Sequence, residues 1–231
     1  MKGKGVARFF FLLLVSILPP CSSTAQSLSE EELDRWFEDD EQSEPYQKRG
    51  GSEQLEFIAP DTTQRIPFSQ TRLTLSPQGI QSGWTSIVQC HDGLDAVPDA
   101  EVVYSFRLMR GLRVTEARHI GRAWVEGQSV QLKDVGKGAR LCVEMEAKLL
   151  ARQSDGRYRL RYGPFQRRFL DSYFPLHVAL EVRYPAAQLS LDEITPAPGE
   201  GYTLKRGEDW INLDAWFRGK LTFELLFHTA G

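Results

Sequence analysis

From Leu141 to Arg152 the chain reads as one alternating run. Leu141, Val143, Met145, Ala147, Leu149 and Ala151 interleave with Cys142, Glu144, Glu146, Lys148, Leu150 and Arg152. A period of two is the mark of a β-strand with one buried face, because successive Cβ atoms point to opposite sides of a sheet. Gln153-Ser154-Asp155-Gly156 follows, and Asp-Gly supplies the positive φ angles that a tight hairpin turn needs. Beyond it, Tyr158, Leu160 and Tyr162 alternate with Arg157, Arg159 and Arg161. The pattern predicts one long hairpin over Leu141–Phe165 with Asp155-Gly156 as its two-residue loop. Arg152 then faces Arg159, Ala151 faces Leu160, and the apolar sets share one face. A slip of one residue would turn every side chain of one strand to the wrong side.

The remainder of the chain reads the same way. Leu73 and Leu75 alternate with polar neighbours before the turn Ser76-Pro77-Gln78-Gly79, and Trp84–His91 is rich in β-formers. Val102, Tyr104, Phe106 and Leu108 make one face of a further strand. Leu112–Val114, Ala123–Val125 and Val130–Val135 are shorter candidates separated by Gly121, Gly127 and Gly136. Leu176, Val178, Leu180, Val182 and Tyr184 alternate up to Pro185; Trp210–Phe217 and Leu221–Phe227 follow a Pro/Gly passage around Pro196 to Gly201. Many short strands divided by Gly/Pro turns, with almost no helical period, predict an all-β fold, an antiparallel β-sandwich or partly open barrel. One such domain is expected over 54–231.

The first residues obey a different plan. Lys2, Lys4 and Arg8 precede an apolar run, Phe9–Leu18, then Pro19-Pro20 and small residues up to Ala25. This predicts a secretory signal peptide over 1–25, with the mature chain exported, the periplasm being the expected compartment. The apolar run is too short to span a bilayer, which takes about 20 residues. A lipid anchor on Cys21 fits poorly, because Pro19 and Pro20 occupy the positions where small residues belong. With Cys21 removed, Cys90 and Cys142 form an even pair, and in an oxidising compartment they are expected to be joined. The chain-entropy model gives such a long loop about 4 kcal/mol of stabilisation.

Residues 26–53 form an acidic arm. Between Gln26 and Gly50, nine Asp and Glu stand against Arg35, Lys48 and Arg49, a net charge of −6. Ser29-Glu30-Glu31-Glu32 has capping-box spacing, and Leu28, Leu33, Trp36 and Phe37 give a short amphipathic helix one apolar side. A helix of that length is marginal alone, so the arm is expected to be disordered or to fold only when it docks.

Motifs for catalysis and metal binding are missing from the sequence. His91, His119, His177 and His228 show no metal-ligand spacing, and no nucleophile or phosphate-cradle motif occurs; no cofactor is expected. The carboxylate pairs Glu144/Glu146 and Asp192/Glu193 leave a glycoside hydrolase as the alternative, although cross-strand ion pairing explains the first pair more simply. Two surfaces have the chemistry of binding. Arg152, Arg157, Arg159, Arg161, Arg167 and Arg168 crowd one segment, and Arg107, Arg110, Arg113, Arg118 and Arg122 another. Guanidinium forks suit carboxylate and phosphate, so anionic glycans, lipids, a protein partner or the acidic arm itself are the expected ligands, and nucleic acid is not. On Trp210–Phe217, Trp210, Asn212, Asp214 and Trp216 share a face, two indoles about 20 Å apart at strand rise, arranged to stack on a sugar chain. The simpler expectation for them is burial in the core. Together these features predict a non-catalytic binding or assembly module of the cell envelope.

Overall fold

The computed structural model describes residues 51–60, 63 and 66–230. The predicted signal peptide, Cys21, and the arm up to Gly50, with its docking, lie outside the described residues. The fold already takes in Gly51, which bridges Tyr173, and Glu53, which pairs with Lys220.

In chain order the strands are β1 (Glu56–Phe57), β2 (Phe68–Thr74), β3 (Trp84–Leu94), β4 (Val97–Val103), β5 (Met109–Glu126), β6 (Ser129–Lys148), β7 (Leu150–Arg152) and β8 (Tyr158–Phe165). They continue as β9 (Arg168–Phe169), β10 (Ser172–Tyr173), β11 (Leu176–Arg183), β12 (Leu189–Thr195), β13 (Tyr202–Arg206), β14 (Trp210–Arg218) and β15 (Leu221–Thr229). The helix α1 (Pro77–Ser82) replaces the expected turn. Its Ser76 side chain caps Gly79 N–H, Pro77 opens its first turn, and Gly83 closes it in the left-handed conformation at φ 80°, a helix end read directly from residue types.

The architecture is all-β and antiparallel-rich, without a closed barrel. The larger sheet runs β1-β14-β11-β2-β3-β6-β4, with β13 also on β14 and β5 also on β6. Its β2–β11 pairing is parallel. The smaller sheet runs β12-β15-β8-β7, and β9-β10 is a separate ribbon. The inward faces of both sheets meet in one core, to which Ile87, Leu141, Val143, Leu180, Leu213 and Phe217 of the larger sheet and Leu160, Phe223 and Phe227 of the smaller contribute fully buried side chains. A chain of rings crosses it. Phe57 stacks on Tyr202, Tyr202 touches Phe223, and Phe223 meets Phe165; Tyr162, Phe106 and Tyr104 continue the series at centroid spacings of 5.2–6.3 Å. Such pairs add roughly 0.5–1.5 kcal/mol each beyond their buried area.

The predicted hairpin over Leu141–Phe165 is not one hairpin. Strand β6 lies in the larger sheet between β3 and β5, whereas β7 and β8 belong to the smaller one. The chain changes sheet at Leu149 and Leu150, which are consecutive and both buried, at 8% and 4% exposure. A continuous strand would have turned one of them to solvent. Gly83 makes the switch satisfiable, because its carbonyl accepts from Leu149 N–H at 3.1 Å and from Leu150 N–H at 3.2 Å. Leu149 carbonyl in turn accepts from Arg161 N–H.

The turn also differs from expectation. Gln153 N–H donates to Arg157 carbonyl at 2.7 Å, so Ser154, Asp155 and Gly156 form a three-residue loop. Asp155 carboxylate accepts from Arg157 N–H and from its guanidinium, which widens the loop by one residue. Arg152 therefore faces Tyr158, Leu150 faces Leu160, and Arg159 faces Ala151. The expected pairings of Arg152 with Arg159 and of Ala151 with Leu160 are both displaced by one.

The longest hairpin lies earlier. Strands β5 and β6 pair from Met109↔Ala147 to Glu126↔Ser129 around Gly127-Gln128, merging the candidates that Gly121, Gly127 and Gly136 had divided. Register shifts between Arg110 and Arg113, Val114 and Glu116, and Arg118 and Ile120 absorb the interruptions, with Gly111 and His119 at positive φ within two of them. The strand expected through Leu108 stops at Val103, after which Tyr104 and Phe106 turn into the ring series and Leu108 stays exposed.

Cys90 and Cys142 are disulfide-bonded directly across β3 and β6, with Cα atoms 4.1 Å apart. Among the described residues no helix is long and apolar enough to cross a membrane.

Gly83 is a point of failure in this sheet switch. A Cβ there would sit 2.5 Å from Leu150 carbonyl oxygen while occupying a left-handed φ. Gly83→Ala is expected to cost about 2 kcal/mol or more, read as a lower urea midpoint at unchanged slope.

Candidate functional site

The sheet switch opens a cleft of about 700 Å³, lined by α1 and its cap (Ile80–Gly83), Arg107 and Leu108, Lys148, Leu150–Arg152 and Tyr158. Its shape follows from the register just described. Arg152 pairs with Tyr158 and so shares the inward side with Leu150 and Leu160, at the open end of β7. Arg107 arrives from the segment between β4 and β5, and Lys148 is the last residue of β6. Ile80 and Leu150 are buried, and Leu108 is half exposed. The lining holds three cationic side chains, an apolar base and no carboxylate. Arg107, Lys148 and Arg152 make no ion pair among the described residues. Most of the other described arginines are ion-paired, and in this cleft three cations stand together without one.

The predicted arginine face divides accordingly. Arg157 holds Asp155, Arg161 lies 3.5 Å from Glu224, Arg167 grips Asp95 and Arg168 reaches Asp171. Arg159 points outward from the smaller sheet, opposite Ala151 and Leu226. Of the six, the structure brings only Arg152 into the cleft. The earlier cluster also spreads. Arg113 pairs with Glu144 and Arg110 with Glu146, so those carboxylates serve β5 and not the return strand of a hairpin. Arg140 joins Asp92 to Glu116, and Arg140's hydrogen bond holds the Glu116 carboxyl below the usual range. Arg110 and Arg122 lie over Trp84 and Trp124. Strand β5 pairs only with β6, and its bulges and charges blunt a free edge. Asp192 is engaged by His228. Sequence reasoning missed Lys148 and did not join Arg107 to Arg152. The signal was present in two adjacent leucines, Leu149 and Leu150, breaking the alternation.

The tryptophan face is the second candidate, and here the strand reading holds. Ile211, Leu213, Ala215 and Phe217 are fully buried, while Trp210, Asp214 and Trp216 are half-buried and Asn212 is exposed on the opposite side. The expected burial of both indoles in the core is therefore corrected. Strand β14 is central, but its outer face is not covered by the smaller sheet.

His91 sits beside the disulfide in sequence and on the other side of the sheet in space. Its Nε2 is buried without a hydrogen-bond partner. Burial pushes its pKa from 6.5 down to about 4, against the charge of Asp92, which pulls it up. Cys90 is in a disulfide, and a thiol assisted by His91 is not what this pair forms.

No family model and no curated protein matches the chain. Among solved structures it is similar to an M1 zinc metallopeptidase from Deinococcus radiodurans bound to a Tyr-Ser-Ala substrate, at TM-score 0.39 and 16% identity, over 78% of this chain and 43% of that one. Another structure of an M1 zinc metallopeptidase from the same organism gives TM-score 0.36 and 13% identity over 78% and 43%. The chain thus spans under half the length of these proteins, and likeness at this level carries no statement about its chemistry. Among the described residues no group of three or more His, Cys, Asp and Glu is placed to hold a metal ion.

His91, with its Nε2 buried, sets a pH dependence. Its folded pKa lies below the unfolded value, so the folded state resists protonation. Stability is full above pH 6.5 and falls as pH drops towards about 4, where the unfolded chain binds the proton more readily. Unfolding free energy measured across this window is expected to decline for the native chain, and His91→Phe is expected to flatten that decline.

Proposed function

We propose that this chain is an exported β-sandwich binding module of the bacterial envelope, delivered by the signal peptide over 1–25 to the periplasm, which takes an anionic ligand with an apolar portion. The observation that carries the reading is the cleft at the sheet junction, where Arg107, Lys148 and Arg152 stand without carboxylate partners over Ile80, Leu108 and Leu150. Guanidinium and ammonium groups around an apolar base match a phosphate- or carboxylate-headed amphiphile. The disulfide is consistent with an exporting route. The acidic arm carries the charge to compete for the same cations and, on this reading, lowers affinity until ligand displaces it.

The hydrolase alternative has less behind it. Glu144, Glu146 and Asp192 are each engaged by a basic partner, whereas the acid and base of a hydrolase must flank a concave site.

The test is co-sedimentation of the mature chain with vesicles of phosphatidylglycerol or of phosphatidylcholine, at low and high salt. Binding is expected on the anionic vesicles alone and is expected to weaken with salt. Arg107→Gln with Arg152→Gln should weaken it roughly tenfold or more, and Arg159→Gln, on the outward face, less than twofold. Removal of residues 26–50 should strengthen it. Equal binding to both vesicles, or equal loss in the Arg159→Gln control, overturns the proposal.

A further inference from the structure

The outward face of the larger sheet carries a second built surface, separate from the cleft in residues and in chemistry. Register places its side chains in rows. Thr203, Asp214, Ala179 and Gln70 lie side by side across β13, β14, β11 and β2, and Lys205, Asn212, Glu181 and Arg72 form the next row. Ala179 is the small residue at the centre, and around it lies a depression of about 390 Å³ lined by Gln70, Glu181, Thr203, Lys205, Asn212 and Asp214. The depression is therefore a consequence of one short side chain among long ones on a strand face.

Aromatic groups lie on the same face at both ends of β14, beyond the residues that line the depression. Trp216 stacks on His177 at 4.2 Å between centroids, and His177 stacks on Phe68 at 4.4 Å. His177 Nε2 is 3.0 Å from Asp214 Oδ2, which fixes the imidazole that supports the indole. At the other end Trp210 lies over Gly207, where any Cβ would strike its ring. Each tryptophan is half-buried and packs against a neighbour, Trp216 on His177 and Trp210 on Gly207.

Of the charged side chains here, Glu181 is ion-paired and Asp214 faces His177, while Lys205 makes no ion pair among the described residues. Glu181 accepts from Arg72 at 2.9 Å and from Arg183 at 2.6 Å. Burial alone would raise its pKa, and these two guanidinium groups outweigh that and hold it low. Gln70, Asn212 and Thr203 remain exposed, offering amide donors, amide acceptors and a hydroxyl within one depression. Neutral donors and acceptors between supported indoles match a ligand with many hydroxyls and apolar ring faces.

We infer that this face binds a neutral oligosaccharide laid along β14 from Trp210 to Trp216, with Asn212 and Gln70 hydrogen-bonding its hydroxyls. The site does not depend on the cleft, so either proposal can fail alone.

Tryptophan fluorescence and calorimetric titration of the mature chain with cellotetraose, maltotetraose and chitotetraose test it. At least one is expected to bind with little change between low and high salt. Asn212→Ala, an exposed position whose thermal melt should match the native chain, is expected to weaken binding roughly tenfold, and Trp210→Ala to reduce both affinity and quenching. The Arg107→Gln, Arg152→Gln double variant should bind the sugar as the native chain does. No binding by any of the three tetrasaccharides, or binding indifferent to Asn212→Ala and Trp210→Ala, overturns the inference.

Discussion

The structure depends on a peptide carbonyl. Gly83 oxygen receives Leu149 and Leu150 N–H at the point where the chain leaves the larger sheet for the smaller. A strand changing sheets abandons its ladder for a residue or two, and buried backbone groups left without partners are costly. The helix α1 solves this by ending in a left-handed glycine whose carbonyl is free to turn towards the gap. The short helix is thus a bracket for the β-fold, and its sequence, with Ser76 and Pro77 at one end and Gly83 at the other, specifies the bracket in both position and length. Because the two sheets separate here, the cleft is a geometric result of the switch.

Between the sheets the core is apolar with a polar seam. Gln89 bonds Thr71 at 2.9 Å and reaches Ser69, and His91 continues the same inward row of β3. Neutral hydrogen-bonded groups tolerate that position, whereas a charge there has no partner to offset its desolvation. The ring series from Phe57 to Tyr104 packs beside this seam and joins residues distant in sequence. Burial likewise drives the hydroxyls of Tyr104, Tyr162 and Tyr202 upward in pKa, so within the sandwich these rings act as apolar bodies with neutral tips.

Periodicity alone carried the fold class, the strands β11, β14 and β15, and the inward set of β14, because each of these strands alternates over its whole length. The Cys90–Cys142 bond was legible from parity and the expected oxidising compartment, though its place directly across two neighbouring strands was not. What sequence could not supply was pairing. Glu144 and Glu146 were correctly expected to be neutralised by cross-strand arginines, but their partners sit on β5, since nothing local distinguishes one arginine-rich strand from another. The turn at Asp155 went astray for a more specific reason. Asp-Gly permits both two- and three-residue loops, and the aspartate's own bonds to Arg157 select the longer. One residue of difference moved Arg152 from the outward arginines to the inward rim.

That displacement explains why identical residues do different work here. On β5 and in the Asp155 turn, arginines are neutralised within reach of a carboxylate, stabilising only modestly because they are exposed and screened. Arg152 and Arg107 lie where strands end over an apolar base, and no acid shares the space. An unpaired guanidinium in water is unremarkable. Two of them with a lysine, converging on buried leucine and isoleucine side chains, form a surface that water alone fits poorly on its apolar side and that an anion alone fits poorly on its base. On the proposed reading, a ligand combining both properties matches the whole of it. The composition of the cleft therefore narrows the ligand class further than the number of arginines in the sequence does.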